Sequence, residues 1–110
     1  MPDTDSSTSH VEVAQDGSVV AFADVDRPEG ADAAHAALHV EAGHRAPDTG
    51  ARLVDAVLDT PQVREAGAVV AALPRGEADA LQHVKDRLPA STTRAAGATV
   101  IVEGQVPAQD

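Results

Sequence analysis

The chain has 110 residues, with 18 acidic side chains against 8 Lys and Arg, and its formal net charge at pH 7 is −10. A surface this acidic disfavours attraction to nucleic acid or to anionic lipid, so the sequence argues against both as partners. The absence of cysteine excludes disulfides, thiolate metal ligands and a cysteine nucleophile. Phe22 is the only aromatic residue, so a core must be built mainly from Val and Ala.

The composition and length also indicate where the protein works. No apolar run approaches the ~20 residues of a membrane span, and no charged leader with an apolar centre is present. We therefore expect a cytoplasmic protein with a single domain.

The acidic, Lys-poor and Ala-rich composition is typical of halophilic or high-GC organisms. We therefore attribute the negative charge to the habitat or codon usage of the source organism before attributing it to the function of the protein.

The ends of the chain are polar and lack an apolar period. Met1–Ser9 is rich in Asp, Ser and Thr, and Pro107–Asp110 is its C-terminal counterpart. Both segments predict disordered tails, which leaves residues 10–106 as the folded domain.

A β-hairpin is predicted at the start of the domain. Val11 and Val13 alternate with polar residues, Asp16-Gly17 is typical of a tight turn, and residues 19–25 form a more continuous apolar strand. Arg27-Pro28-Glu29-Gly30 then breaks the chain.

Residues 33–41 are ambiguous, because their alanine content favours a helix while their alternation favours a strand. We predict a strand, because the residues that follow then form a loop that connects a strand to a helix. The choice matters for His35 and His39. On a helix the two imidazoles could chelate a metal, with His44 or Glu41 as a third ligand, whereas on a strand they would be about 13 Å apart. We predict no metal.

The rest of the chain alternates helices and strands. The apolar residues of 50–59 recur at helical spacing, and Thr60-Pro61 ends that helix. Residues 68–73 form a short buried strand, residues 77–88 a second helix with an apolar stripe at Leu81, Val84 and Leu88, and residues 98–103 a final strand. The order β-β-β-α-β-α-β predicts an α/β fold with a mixed sheet.

Residues 40–54 read V-E-A-G-H-R-A-P-D-T-G-A-R-L-V and join the third strand to the first helix. They resemble the pyrophosphate loop of the GNAT superfamily of N-acetyltransferases, whose motif is Gln/Arg-x-x-Gly-x-Gly/Ala. Arg45 and Gly50 match that motif, and Asp48 stands in place of the middle glycine. The element order resembles the GNAT fold from its second strand onward, which implies a minimal member without the N-terminal strand and helix pair.

The resemblance implies that acetyl-coenzyme A binds here. Residues 40–42 would hydrogen-bond the pantetheine arm, the backbone amides of residues 45–51 would take the pyrophosphate, and Arg45 would add positive charge. The candidate binding residues are Val40, Arg45, Asp48, Thr49, Gly50, Ala51 and Arg52. An alternative remains open, because Asp48 or Thr49 could instead be an ordinary helix cap, and the Asp48 carboxylate would repel a pyrophosphate.

Two residues are candidates for catalysis. Many GNAT enzymes use a tyrosine as general acid, and this chain has none. His83 lies on the corresponding helix and could donate a proton in place of that tyrosine, and Glu41, at the end of the third strand, could accept a proton from an amine. For each of them the alternative is a solvated surface side chain.

Two functions follow from these observations. The resemblance implies a small acyl-coenzyme A-dependent N-acetyltransferase that acts on an amine. The alternative is a non-catalytic remnant of that fold that works as a binding or interaction module, as a homodimer through an open sheet edge.

Overall fold

The computed structural model of the chain describes residues 6–28, 30–41 and 48–106. These segments contain six strands and three helices. In chain order they are β1 (Ser6–Gln15), β2 (Ser18–Pro28), β3 (Ala34–Val40), α1 (Thr49–Leu58), α2 (Pro61–Ala66), β4 (Ala68–Pro74), α3 (Ala78–Arg87), β5 (Thr92–Ala96) and β6 (Thr99–Gln105).

All six strands belong to one mixed sheet, in the order β1-β2-β3-β4-β6-β5. Only β3 and β4 pair in parallel, and every other neighbouring pair is antiparallel. Because α1 and α2 connect the two parallel strands, the chain crosses over the sheet between them. The predicted mixed α/β sheet is confirmed.

The helices of the described segments pack against one face of the sheet. Alternate strand residues facing them are buried, as expected for the period of two along a strand. The buried apolar core consists of Val13, Ala21, Ala23, Val25, Ala34, Ala36, Leu38, Leu53, Val54, Val57, Leu58, Val63, Val69, Ala71, Leu73, Ala80, Val84, Leu88 and Val102. It is built from Val, Ala and Leu, which confirms the predicted core composition. We call the other side of the sheet the outer face; Phe22, His35, His39 and Glu103 lie on it.

The first hairpin is confirmed and is longer than predicted. Asp16 and Gly17 have φ of 53° and 83°, as a two-residue hairpin turn requires. β1 already pairs with β2 at Ser6, opposite Pro28, so residues 6–9 are strand where the sequence predicted a tail. The sequence did not indicate a strand at residues 6–9 because these residues are all polar. An edge strand can be polar on both faces when its backbone is paired. Residues 1–5 and 107–110 lie outside the described residues.

Two elements were not predicted. Thr60-Pro61 does end α1, but Pro61 also begins a second short helix, α2, because proline is well suited to the first helical position. Gly67, with φ of 74°, ends α2. β5 is also new: all five of its residues are exposed, so no apolar alternation marks it in the sequence.

The remaining predictions agree with the structure within one or two residues. Residues 34–40 are a strand, the second predicted helix is α3, and the final predicted strand is β6. None of the described helices is both long and apolar enough to cross a lipid bilayer.

Candidate functional site

The parallel strands β3 and β4 separate at their C-terminal ends. They pair from Ala34 opposite Val69 to Ala37 opposite Ala72. β3 then continues with β2 as far as Val40, while β4 continues with β6 as far as Pro74. The pairing of β3 with β4 therefore ends at these residues, and on the β4 side residues 38–40 have no paired strand of the described sheet. We call this end of the β3–β4 pair the opening. Ligands of α/β proteins bind at such carboxyl ends.

Helices α1 and α3 both begin near this opening. α1 is the first helix after β3, and α3 follows β4 through residues 75–77. Near the start of the two helices, Gly50 of α1 lies close to Ala80 of α3. Further along both helices, Asp55 of α1 contacts His83 of α3. The two helices therefore run in the same direction, and the positive ends of their dipoles lie side by side. This arrangement favours an anion near the opening.

Gly50 explains how close the helices come. A Cβ built on Gly50 would lie 2.9 Å from the Ala80 Cβ and 3.2 Å from the Ala80 N. Real Cβ atoms do not approach so closely, so the position needs glycine. Gly50 was predicted to bind the cofactor. In the structure the absence of a side chain at Gly50 allows α3 to approach α1, and only the Gly50 backbone could contact a ligand.

Asp48 precedes α1 without capping it through its side chain. Its carbonyl accepts the Arg52 N–H at 2.9 Å, while its exposed carboxylate makes no capping hydrogen bond. The N–H groups of Thr49, Gly50 and Ala51 precede that first intrahelical bond. The alternative of Asp48 as a side-chain cap is thus not realised. Ala42 and Arg45 lie outside the described residues.

Carboxylates surround the start of both helices. Asp48 precedes α1, Glu77 precedes α3, and Asp79 lies in the first turn of α3. Arg52 is exposed in the first turn of α1, and Arg75 lies before α3, where its Nη1 donates to the Gly97 carbonyl at 3.1 Å. The acidic side chains oppose an anion that the helix dipoles would attract. Asp48 was a candidate from the sequence, whereas Glu77 and Asp79 were not, because they become relevant only once α3 is placed beside α1.

Glu41 follows β3 at the opening. Its N–H donates to the Val20 carbonyl at 2.9 Å, so β2 holds the backbone there, and the residue is exposed. Val40, the last residue of β3, is half-buried against the core. Glu41 therefore has a fixed backbone and solvent access, which a proton acceptor at this site requires.

His83 lies in the interface between α1 and α3. Its Nε2 is 2.8 Å from the Asp55 Oδ1, and Arg87 contacts the same carboxylate oxygen. The three side chains join the two helices beyond their first turns. Asp55 and Arg87 were not candidates from the sequence, because the spacing of residues within one helix does not reveal contacts with another helix.

His35 and His39 lie on strand β3 and are exposed. The alternative metal site required a helix here, and the structure has a strand instead. The His39 ring stacks on Phe22, with ring centroids 4.7 Å apart and an interplanar angle of 19°. Within the described segments, no group of three or more His, Asp or Glu side chains is arranged to hold a metal ion.

Comparison with known proteins adds a fold relationship. No protein-family model matches the sequence. No curated protein sequence is significantly similar to it.

Solved structures of N-acetyltransferases are similar to the chain in fold. The GNAT domain of S. lividans PAT superimposes with a TM-score of 0.60 at 18% identity, covering 90% of this chain and 61% of that one. Ribosomal-protein-alanine N-acetyltransferase from Brucella melitensis gives a TM-score of 0.62 at 12% identity, with 89% and 68% covered. PaiA N-acetyltransferase from Thermoplasma acidophilum, in complex with coenzyme A, gives 0.60 at 11% identity, with 89% and 60% covered.

These similarities establish the fold. The chain has the GNAT fold, as the loop between β3 and α1 indicated, and it spans about three fifths of the length of the S. lividans domain.

Proposed function

We propose that the chain binds an acyl-coenzyme A in the opening between β3 and β4 and transfers its acetyl group to an amine. The observation that carries this proposal is the separation of the two parallel strands beyond Ala37 and Ala72, at the point where α1 begins. Solved structures of the same fold include one in complex with coenzyme A. The proposal is consistent with both findings.

The opening suits an extended, polar ligand. Backbone groups of residues 38–40 would hydrogen-bond a pantetheine arm as a neighbouring strand would. The N–H groups of the first turn of α1 would receive the pyrophosphate, because they precede the intrahelical ladder and lie at the positive end of the dipole. The Arg52 guanidinium and, in the preceding loop, Arg45 would add positive charge.

Glu41 is the proposed general base. Its carboxylate would take a proton from the acceptor amine as the nitrogen attacks the acetyl carbonyl carbon. The carbon–sulfur bond then breaks and the coenzyme leaves as a thiolate, which takes a proton from solvent. The acidic surface favours a cationic acceptor such as a polyamine, since net negative charge concentrates cations near the protein. The reacting nitrogen first loses its extra proton to solvent, so that it attacks as the neutral amine. We assign no acid role to His83, because its Nε2 faces Asp55.

Titration with acetyl-coenzyme A, followed by amide NMR shifts, tests the binding step. The largest shifts should fall on residues 38–41 and 48–52, with smaller ones on residues 77–79. The amides of β5 serve as the internal control, because β5 lies at the far edge of the sheet. Shifts spread evenly over the surface would contradict the proposed site.

An acetyl-transfer assay with a polyamine acceptor tests the chemistry. Glu41→Gln should lower kcat by about 100-fold, the lower end of the effect of a general base. Glu103→Gln removes an exposed carboxylate from the outer face of β6 and should leave kcat unchanged. Binding without transfer in the unmodified protein would remove the catalytic part of the proposal and leave an acyl-coenzyme A-binding module.

A further inference from the structure

Strand β1 forms one edge of the described sheet and pairs on one side only, with β2. It is ten residues long and contains neither Lys nor Pro, which commonly protect edge strands from pairing with another chain. The irregularity between Val13 and Ala14 ends the regular part of the edge. Residues 9–13 therefore pair regularly with β2, and no other strand of the described sheet lies on their free side.

The two faces of this segment differ. Val11 and Val13 face the helices, where Val11 is half-buried against the core and Val13 is buried. His10 and Glu12 lie on the outer face, with the Glu12 Oε2 3.0 Å from the His10 Nε2. The Asp24 Oδ1 of β2 lies 2.7 Å from the His10 Nδ1.

We propose that this edge binds the same edge of a second copy of the chain, antiparallel, about a two-fold axis at Val11. A side-by-side antiparallel dimer keeps corresponding faces together, so helix-facing residues of one copy lie opposite helix-facing residues of the other. With the axis at Val11, each His10 lies opposite Glu12 of the partner subunit, and Val11 lies opposite Val11 of the partner subunit. The pairing therefore joins the sheets of the two copies into one.

The neighbouring registers that keep the faces together are less favourable. An axis at His10 places the two imidazoles opposite each other, and an axis at Glu12 does the same to two carboxylates. Like charges directly opposite across strands are destabilising, while opposite charges are favourable. The register centred on Val11 is the one of these three in which both outer-face residues meet a complementary partner.

The other edge of the described sheet does not offer the same match. β5 has five residues, and Arg94 is at its centre. Self-pairing about Arg94 would place two guanidinium groups opposite each other, and in the two neighbouring registers Arg94 would lie opposite Thr92 or Ala96, neither of which carries a complementary charge. We therefore assign the contact to β1.

The contact is small, and each copy carries a net charge of −10. Pairing five residues buries less than a standard interface, so we expect a Kd on the order of 10–100 µM. Added sodium chloride should tighten the dimer by screening the repulsion between copies. Sedimentation velocity from about 5 µM to about 1 mM covers the expected Kd range, and a chain that stays monomeric at both low and high salt would overturn the proposal.

Single-cysteine variants test the register, because the chain has no cysteine of its own. Opposed residues of an antiparallel pair have Cα atoms about 4.5–5.5 Å apart, which suits a disulfide. Val11→Cys should therefore form a covalent dimer under mild oxidation at least ten times faster than Thr93→Cys. Thr93 is the matched control, since it also faces the helix side of an edge strand and is more exposed than Val11. Equal rates would overturn the proposed register.

A charge reversal tests the contact without a disulfide. Glu12→Lys places a cation opposite His10 of the partner subunit and should weaken the dimer at least tenfold. Glu103→Lys makes the same charge change on β6, away from the edge, and should leave the Kd unchanged or lower it. Circular dichroism checks that both variants fold. Equal Kd values for the two variants would exclude the proposed contact.

Discussion

Gly50 is required by the packing of α1 on α3. Gly50→Ala places a Cβ 2.9 Å from the Ala80 Cβ, so the helices must move apart. We expect a loss of about 1–3 kcal/mol in the free energy of unfolding, as for other overpacked sites. Urea denaturation measures it. Gly76→Ala is the matched control, since a Cβ there meets nothing within 4 Å, and equal stability of the two variants would contradict the packing role.

We expect the Asp48 carboxylate to oppose an anion bound at the start of α1. Its carboxylate is exposed and does not cap the helix. Asp48→Asn removes the charge and keeps the shape, so it should tighten acetyl-coenzyme A binding about fivefold, which corresponds to about 1 kcal/mol. The gain should shrink with added salt. Isothermal titration calorimetry measures the Kd, and Asp86→Asn, near the far end of α3, is the control. Unchanged affinity of Asp48→Asn would show that the carboxylate does not face the ligand.

His10 is held between two carboxylates on the outer face. The hydrogen bond to Asp24, followed by that to Glu12, raises the pKa of His10 above its ordinary value of 6.5. A raised pKa means that the folded state binds the proton more tightly than the unfolded state does. The stabilisation is therefore fully present below pH 6.5 and is lost as pH rises through the folded pKa.

An NMR titration of the His10 ring protons tests this. The measured pKa should exceed 6.5, and Asp24→Asn should lower it. Asp26→Asn, two residues further along β2, is the control and should leave the value nearly unchanged. A larger shift for Asp26→Asn than for Asp24→Asn would contradict the assigned cause.

The contact between α1 and α3 also includes polar groups. Asp55 contacts both His83 and Arg87, and its side chain is 52% exposed. Asp55→Ala should lower the free energy of unfolding by about 0.5–1 kcal/mol, because exposed ion pairs are weak. Asp86→Ala, on α3, should change it less. Chemical denaturation of both variants measures the difference, and equal effects would show that Asp55 does not join the helices.

Elements with an internal pattern were predictable, and those defined by a partner were not. The Asp16-Gly17 turn and the alternation of β3 carry their signal within a few residues, and both predictions are confirmed. The apolar period of residues 77–88 correctly predicted a helix, in which Val84 is buried and Leu81 is half-buried, while Leu88 follows its last residue. β5 is wholly exposed and is a strand because β6 pairs with it. Residues 6–9 are likewise strand because β2 extends beside them.

The candidate site divides in the same way. The strand-to-helix position of residues 48–52 was predictable, because the loop pattern and the apolar period of α1 are local. The divergence of β3 from β4 was not, because it depends on each strand following a different neighbour. The acidic residues before and within α3 became part of the site only through the packing of Gly50 on Ala80. Contacts between distant elements are what a single sequence leaves out.

Net charge dominates the electrostatics of the folded chain. Eighteen acidic groups face eight Lys and Arg. The ion pairs of the described segments are exposed or half-exposed, among them Arg64 with Asp59 at 3.3 Å and Arg27 with Glu65 at 3.7 Å. Such pairs contribute little to stability and weaken in salt. We therefore expect repulsion among the acidic groups to outweigh these ion pairs.

Thermal stability should consequently rise with salt. Raising sodium chloride from about 0.01 M to about 1 M shortens the Debye length from about 30 Å to about 3 Å, which removes most long-range repulsion. A core of Val, Ala and Leu gives a small margin of stability, so this gain should raise the melting temperature by several degrees. Thermal melts followed by circular dichroism at several salt concentrations measure the melting temperature. A protein concentration of a few micromolar ensures that dimer formation does not contribute to the measured value. A melting temperature that stays flat or falls with salt would mean that the attractive pairs of Arg27, Arg64 and Arg87 outweigh the repulsion.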